Sequence, residues 1–274
     1  EATRPAPSTI ITLKMAATRD GEITACEGTF IYEVGAYPGA TPSAAAALNT
    51  GLGAYLIPNL RVQGLDVVVN KPPIGAYRAP NAPQAAFAVE SHLDQIAQTL
   101  GMDPLALRLG HIAQTGDRLP NDLPLPRVGL RQVLQRVREH PAWRRPLEGP
   151  NRGRGLGCGF WIGGVGSSAA TLNLNADGTL ALVVGSIDLT GSRTAFVQMV
   201  AEEFGLAPEE VSVITADTDT APYSDITAGS RTTRQMGMAV HRACQEVKRE
   251  LARRAAAALG VTPEDIEYAE RAFQ

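Results

Sequence analysis

Apolar and polar residues alternate over residues 9–13, stop at the turn Arg19-Asp-Gly-Glu22, and alternate again from Ile23 to Tyr32, a two-residue period that predicts paired strands. The β-branched run Val67-Val68-Val69 predicts a further strand. The period then changes. Ala86, Val89, Leu93, Ile96 and Leu100 step by three and four, a buried helical stripe that Gly101 ends. Asn81 followed three residues later by Gln84 has the pattern of a capping box, and Pro83 falls in the first turn, where a missing N–H is tolerated. Asp103-Pro104 predicts a capped short helix through Leu109. Residues 35–54 are small and Gly/Ala-rich, with a helix expected over 44–48 before Pro58-Asn59 breaks the chain.

Residues 116–155 carry little apolar patterning and many prolines. One amphipathic helix is expected inside them, with Leu130, Val133, Leu134 and Val137 inward and Arg131, Arg136 and Arg138 on a solvated face. A domain boundary is placed near residue 150, giving subdomains 1–150 and 151–274. The β pattern resumes in the glycine-rich run 156–166, which holds Phe160-Trp161, and in two segments flanking the turn Asn175-Ala-Asp-Gly178. A helix over 192–204 (Ala195, Phe196, Met199 and Val200 inward), a strand over 211–214 and a helix over 231–259 (Met236, Val240, Ala243, Val247 and Leu251 inward) complete the chain. Mixed strands and helices in each half predict an α+β fold of two mixed subdomains.

Composition narrows the class. With 274 residues, 44% hydrophobic, 19% charged and net charge −3, the chain can bury a large core and shows no basic bias toward nucleic acid or anionic membrane. No apolar run is long enough to span a bilayer, and no signal-peptide pattern opens the sequence. Cys26, Cys158 and Cys244 are odd in number and far apart, which fits buried thiols in a reducing, cytoplasmic setting. His241 and Cys244 are spaced to share a helix face but do not amount to a zinc site, and His92, His111 and His140 read as surface residues.

Three loops carry candidate chemistry, each running into a helix N-terminus, where free backbone N–H groups favour an anion. The first is Gly75-Ala-Tyr-Arg-Ala-Pro-Asn-Ala-Pro-Gln, in which Arg78 is either a planar anion ligand or a loop arginine paired with a carboxylate. The second is Asp188-Leu-Thr-Gly-Ser-Arg-Thr194, with ordinary capping by Ser192 or Thr194 as the alternative. The third is Thr218-Asp-Thr-Ala-Pro-Tyr-Ser-Asp-Ile-Thr-Ala-Gly-Ser-Arg-Thr232, whose Asp219 and Asp225, with Asp217, lack the spacing of an EF-hand. The glycines at 153–166 form neither a P-loop nor a Gly-x-Gly-x-x-Gly between strand and helix. Three donor-rich loops on one chain point to a large polyanionic cofactor, which spacing alone cannot name.

Together these loops resemble the molybdenum-binding subunit of the xanthine dehydrogenase and aldehyde oxidase family. The segment from Gly75 to Glu90 is similar to that family's arginine loop and following helix, and Gly101-Met-Asp-Pro-Leu-Ala-Leu-Arg108 to its next turn. Residues 183–205, Thr215-Ala-Asp-Thr-Asp-Thr and Thr227-Ala-Gly-Ser-Arg-Thr-Thr233 are similar to its cofactor loops. The resemblance implies a molybdopterin cofactor carrying molybdenum, in bacterial members usually the cytosine dinucleotide form, which hydroxylates heterocycles or oxidises aldehydes with oxygen from water. It places Arg78, Ala79, Thr190, Gly191, Ser192, Ala228, Gly229 and Ser230 on the cofactor, with Arg78 and Gly229 nearest the metal, and Pro80 and Phe160 on the substrate. It implies an iron–sulfur small subunit, an FAD medium subunit, the remaining parts of the large subunit, and a homodimer of heterotrimers.

The sequence departs from the family at three places. Leu189-Thr190-Gly191 stands where many members have Gly-Gln-Gly, so Thr190 replaces a glutamine donor. Pro38 stands near an arginine used on purines, which argues against a purine substrate. The family's upstream glycine-rich loop and its glutamate base, expected after Gln274, have no counterpart here, so no residue is assigned the catalytic base and the piece alone is expected to be inactive. A non-catalytic cofactor- or partner-binding module is the other reading.

Overall fold

Strands β1 (Thr9–Ala17) and β2 (Ile23–Gly35) form an antiparallel pair, as their alternation predicts, and β3 (Asn59–Val68) joins β2 in parallel, so β2 is central. The computed structural model describes residues 4–37, 50–161, 163–215, 217–269 and 271–274. The helix expected over 44–48 and Pro38 lie outside them. The chain divides into two units, Glu1–Ile162 and Gly163–Gln274, each with its own apolar core. Mixed helices and sheets in both make the fold α+β, as expected.

In the first unit helix α1 (Ala82–Leu100) packs on the sheet. Its buried line is Ala82, Ala85, Val89, Glu90, Leu93 and Ala97, whereas Ala86, Ile96 and Leu100 of the expected stripe are only half-buried. Small residues set the contact line because they let backbones approach: a Cβ on Gly51 would lie 2.9 Å from that of Ala85. The expected capping box does not form. Asn81 is left-handed (φ 67) with no side-chain cap, and Gln84 Nε2 donates instead to the Pro7 carbonyl at 3.3 Å. Asp103 does cap helix α2 (Pro104–His111), accepting from the Leu105 N–H at 2.9 Å. His111 is a structural residue, not a surface one: Nε2 accepts from the Ile23 N–H at 2.8 Å.

Arg108 of α2 is wholly buried. Its Nε donates to Glu90 Oε2 at 2.8 Å, Nη1 to Asp94 Oδ1 at 2.8 Å and to the Pro104 carbonyl at 3.1 Å, and Nη2 to the Glu90 carbonyl at 3.1 Å. Burial alone would lower this guanidinium; the Glu90 hydrogen bond and charge outweigh it and raise it. The second oxygen of Glu90 accepts from the Tyr55 hydroxyl at 2.5 Å.

In the proline-rich stretch, helix α3 (Leu130–Glu139) forms as expected but seats mainly Leu134, and Val133 is exposed; the four-residue helix α4 (Pro141–Arg144) follows. No strand forms over 156–166 among the described residues. Its glycines add no side-chain packing to hold a ladder.

The second unit pairs β4 (Ala170–Leu174) antiparallel with β5 (Leu180–Val184) across the expected hairpin, and β5 parallel with β6 (Val211–Thr215). Helix α5 (Ser192–Phe204) connects the parallel strands, and α6 (Thr232–Leu259) packs beside it. Phe196 and Val200 of α5 and Met236, Val240 and Cys244 of α6 close the core on Leu180, Leu182 and Val184. Ala243, Val247 and Leu251 flank that line, half-buried. All three cysteines are buried free thiols, and His241, three residues before Cys244 on the same helix, is exposed and paired with Glu203. Beyond α6, β7 (Tyr268–Ala269) and β8 (Ala272–Phe273) form a small hairpin.

A second buried arginine holds this unit together. Arg231 Nε donates to the Ile226 carbonyl at 2.6 Å, and Nη1 to the Val165 carbonyl at 2.8 Å and to Asp225 Oδ2 at 2.7 Å. That hydrogen bond, with the Ile226 N–H, holds the Asp225 carboxyl down at about 2.

Replacing Arg108 with Leu strands the Glu90 carboxylate in the core and is expected to cost about 3–5 kcal/mol. Tryptophan fluorescence during urea unfolding reads this, because Trp143 and Trp161 both belong to the first unit. An unchanged midpoint would refute it. For Asp225 the folded value lies below the ordinary carboxylate value, so its stabilisation is complete above about pH 4 and fades toward about pH 2. The Arg231 Nε–H resonance should move over that window in the native chain and stay still in Asp225→Asn.

Candidate functional site

Ligands of open α/β sheets bind beyond the carboxyl ends of parallel strands. In the second unit β5 and β6 are the parallel pair; the chain leaves β5 into residues 185–191 and β6 into residues 217–231. Each of these loops ends at a long helix, α5 and α6 respectively. The two loops meet in one cavity of about 480 Å³ lined by residues 189–192, Ala195 and residues 227–233. Thr190, Gly191, Ser192, Ala228, Gly229 and Ser230 therefore share one wall. The lining brings hydroxyls from Thr190, Ser192, Thr227, Ser230, Thr232 and Thr233, and no carboxylate among the described residues.

The backbone at this wall is shaped against ordinary preference. Thr190 (φ 63) and Ser230 (φ 60) are left-handed, beside Gly191 (φ 86) and Gly229 (φ 64). A non-glycine residue there costs about 1–2 kcal/mol, and such costs collect at functional sites. Gly229 answers a second demand. A Cβ on it would stand 3.1 Å from Gly164 Cα, and the Gly164 N–H donates to the Gly229 carbonyl at 2.5 Å.

The acidic groups near the cavity are already engaged. Asp188 Oδ1 accepts from Ser192 Oγ at 3.1 Å and from the Arg193 N–H at 3.2 Å. The Arg193 N–H is the main reason its carboxyl lies below the usual range. The cap of α5 thus comes from Asp188, not from Ser192 or Thr194. Asp225 holds Arg231, and Asp217 accepts from the Asp219 N–H at 3.0 Å and Thr220 Oγ1 at 2.7 Å. No cluster of three potential metal ligands occurs among the described residues. A hydroxyl-lined cavity between two helix starts, free of lining carboxylates, fits phosphate groups.

The remaining predicted residues belong to the first unit. Arg78 is exposed, just before α1, on a loop where Ala79 (φ 53) and Asn81 (φ 67) are both left-handed. The Tyr32 hydroxyl, from β2, donates to the Asn81 carbonyl at 3.0 Å and pins the far end of the loop. Pro80 is half-buried. Phe160 is half-buried and packs against both apolar clusters of this unit. The sequence reading missed Tyr32, Asp188 and the Arg231 anchor; the four-residue spacing of Asp188 and Ser192 was the available signal for one of them.

Comparison with known proteins places this geometry. Residues 1–111 and 132–274 each match the molybdopterin cofactor-binding domain. The chain is 30% identical over 267 residues to a probable xanthine dehydrogenase subunit of Bacillus subtilis, covering 93% of this chain and 36% of that protein. It is 31% identical over 254 residues to the aldehyde oxidoreductase of Megalodesulfovibrio gigas, covering 86% and 28%. It superposes on the Cu,Mo-CO dehydrogenase with a TM-score of 0.82 at 25% identity, covering 96% of this chain and 38% of that one. The chain thus spans about a third of the relatives it matches. It belongs to the molybdopterin cofactor-binding family of molybdenum hydroxylase large subunits.

Proposed function

We propose that this chain is the central part of the large subunit of a molybdenum-dependent hydroxylase that oxidises an aldehyde or an N-heterocycle with oxygen derived from water. One observation carries the reading: residues 190–192 and 228–230, far apart in sequence, line one hydroxyl-rich cavity at two helix starts. When bound, the molybdopterin cofactor, taken as the cytosine dinucleotide form, supplies the metal centre and its redox chemistry. The protein's work is to grip and orient it. Thr190 offers a hydroxyl at the start of α5, with Gly191 bending the chain toward Ser192, which lines the same wall with its own proton held by Asp188; Ala228 and Gly229 offer backbone, and Ser230 a hydroxyl, at the start of α6. By the family resemblance Arg78 and Ala79 would bind the cofactor as well, with Arg78 and Gly229 the residues expected to serve its metal. Pro80 and Phe160 bound the substrate.

Subdomains 1–150 and 151–274 are each taken as molybdopterin-binding, in keeping with the two family matches. In the complete enzyme the remaining parts of the large subunit bring the glutamate base, and iron–sulfur and FAD subunits take the electrons, in a cytoplasmic assembly that can pair into a dimer of heterotrimers. No helix among the described residues is long and apolar enough to cross a membrane.

In the full-length subunit co-expressed with its partners, Gly229→Val and Arg78→Ala should each lower molybdenum content about 10–100-fold. Metal analysis measures this, and CMP released by acid hydrolysis should fall in parallel; full content in both variants rules the assignment out. The 274-residue piece alone, reconstituted with cofactor, is expected to give no dye reduction with benzaldehyde or quinoline.

A further inference from the structure

The end of the glycine-rich run lies along the loop that lines the cavity. The Gly164 N–H donates to the Gly229 carbonyl at 2.5 Å, the Asp225 N–H to the Ser167 carbonyl at 3.1 Å, and the Ala169 N–H to the Tyr223 carbonyl at 3.0 Å. Ser168 faces Ser224 in an isolated antiparallel bridge. Residues 164–169 therefore run antiparallel to residues 223–229 and lead into β4. Side chains tie the same two segments. Arg231 Nη1 donates to the Val165 carbonyl at 2.8 Å, and Arg234 Nη2 to the Gly164 carbonyl at 2.6 Å.

Alternate residues of an extended run face the same way. Val165 is 76% exposed, and Gly164 and Gly166 on either side of it face the loop. A Cβ on Gly164 would stand 3.1 Å from the Gly229 carbonyl oxygen and 3.2 Å from that of Ala228. A Cβ on Gly166 would stand 2.1 Å from Arg231 Nη1 and 2.6 Å from Asp225 Oδ2. That guanidinium cannot step aside without breaking its hydrogen bonds to Val165, Ile226 and Asp225. Left-handed residues persist only where their surroundings over-determine them, and Gly229 and Ser230 are two in a row.

We propose that residues 164–167 are a strap, with Gly164, Gly166, Asp225 and Arg231 as positioning residues that hold Gly229 and Ser230 in the shape of the cofactor wall. The value of that shape to the cofactor rests on the proposed function; the strap's hold on the loop does not. A wall already fixed by contacts within the protein needs no ordering when a ligand binds, which favours affinity. A methyl group added at Gly166, which does not itself line the cavity, therefore weakens cofactor retention.

The test uses the full-length large subunit assembled with its partners, carrying Gly166→Ala, Asp225→Asn, Arg231→Gln, or Gly166→Ala together with Arg231→Gln. Hydrogen exchange over residues 164–169 and 225–231 should rise about tenfold in each single variant, the effect of losing a hydrogen bond to a charged group. Exchange over residues 180–184, in β5, should stay as in the native protein. The double variant should match Arg231→Gln alone, because Gly166 acts through that guanidinium. Molybdenum and CMP content should fall severalfold in Gly166→Ala. Unchanged exchange in both Gly166→Ala and Asp225→Asn, an equal rise over residues 180–184, or additive effects in the double variant overturns the proposal. If exchange rises as expected while molybdenum content holds, the loop is no cofactor wall and the proposed function fails there, while the strap's hold on the loop stands.

Discussion

A guanidinium with no access to water must find every hydrogen-bond partner inside the protein, and meeting that demand organises each half of this chain. Arg108 takes two carboxylates and two backbone carbonyls from α1 and α2, so those helices cannot slide without breaking several bonds together. Arg231 takes the carbonyls of Val165 and Ile226 and the carboxylate of Asp225, gathering an irregular loop and a glycine-rich approach segment onto the start of α6. Desolvating such groups is expensive, and the Coulomb gain does not always exceed it. What the arrangement secures is a fixed geometry at loops that lack secondary structure of their own.

That division of labour explains the character of the cavity. A polyanion could be held by exposed arginines, but these would be mobile and screened by salt. Here the arginine at the cavity, Arg231, is neutralised by Asp225, and the other polar groups of the lining are hydroxyls and backbone. Such neutral donors bind phosphate through direction as much as charge.

Most of the elements were legible because their periods are plain. The alternation of β1 and β2, the hairpin at Asn175–Gly178 and the helix over residues 192–204 follow directly from residue order. The errors share one cause: tertiary partners decided what local pattern left open. The α1 contact line runs through Ala85 and Ala97 because close approach favoured small residues over Ile96 and Leu100. The Asn81-Gln84 pair has the letters of a capping box, but Asn81 is left-handed rather than extended and Gln84 turns to the Pro7 carbonyl. The glycine-rich run at 156–166 has strand-like letters without side chains to pack. In the site, helix starts were readable from small polar residues, whereas the roles of Asp188 and Asp225 depend on backbone turns that spacing does not encode.

Backbone strain separates the cofactor reading from ordinary capping. Seven non-glycine residues among those described have positive φ, and four of them, Ala79, Asn81, Thr190 and Ser230, fall on the three helix-leading loops. Asparagine tolerates that conformation; alanine, threonine and serine do so less readily. Glycine would relieve the strain at Ala79, Thr190 and Ser230 without loss of a cap, since Asp188 caps α5 and neither Asn81 nor Arg231 supplies a side-chain cap. Their side chains therefore do no capping at these helix starts. Thr190 and Ser230 both border the same cavity.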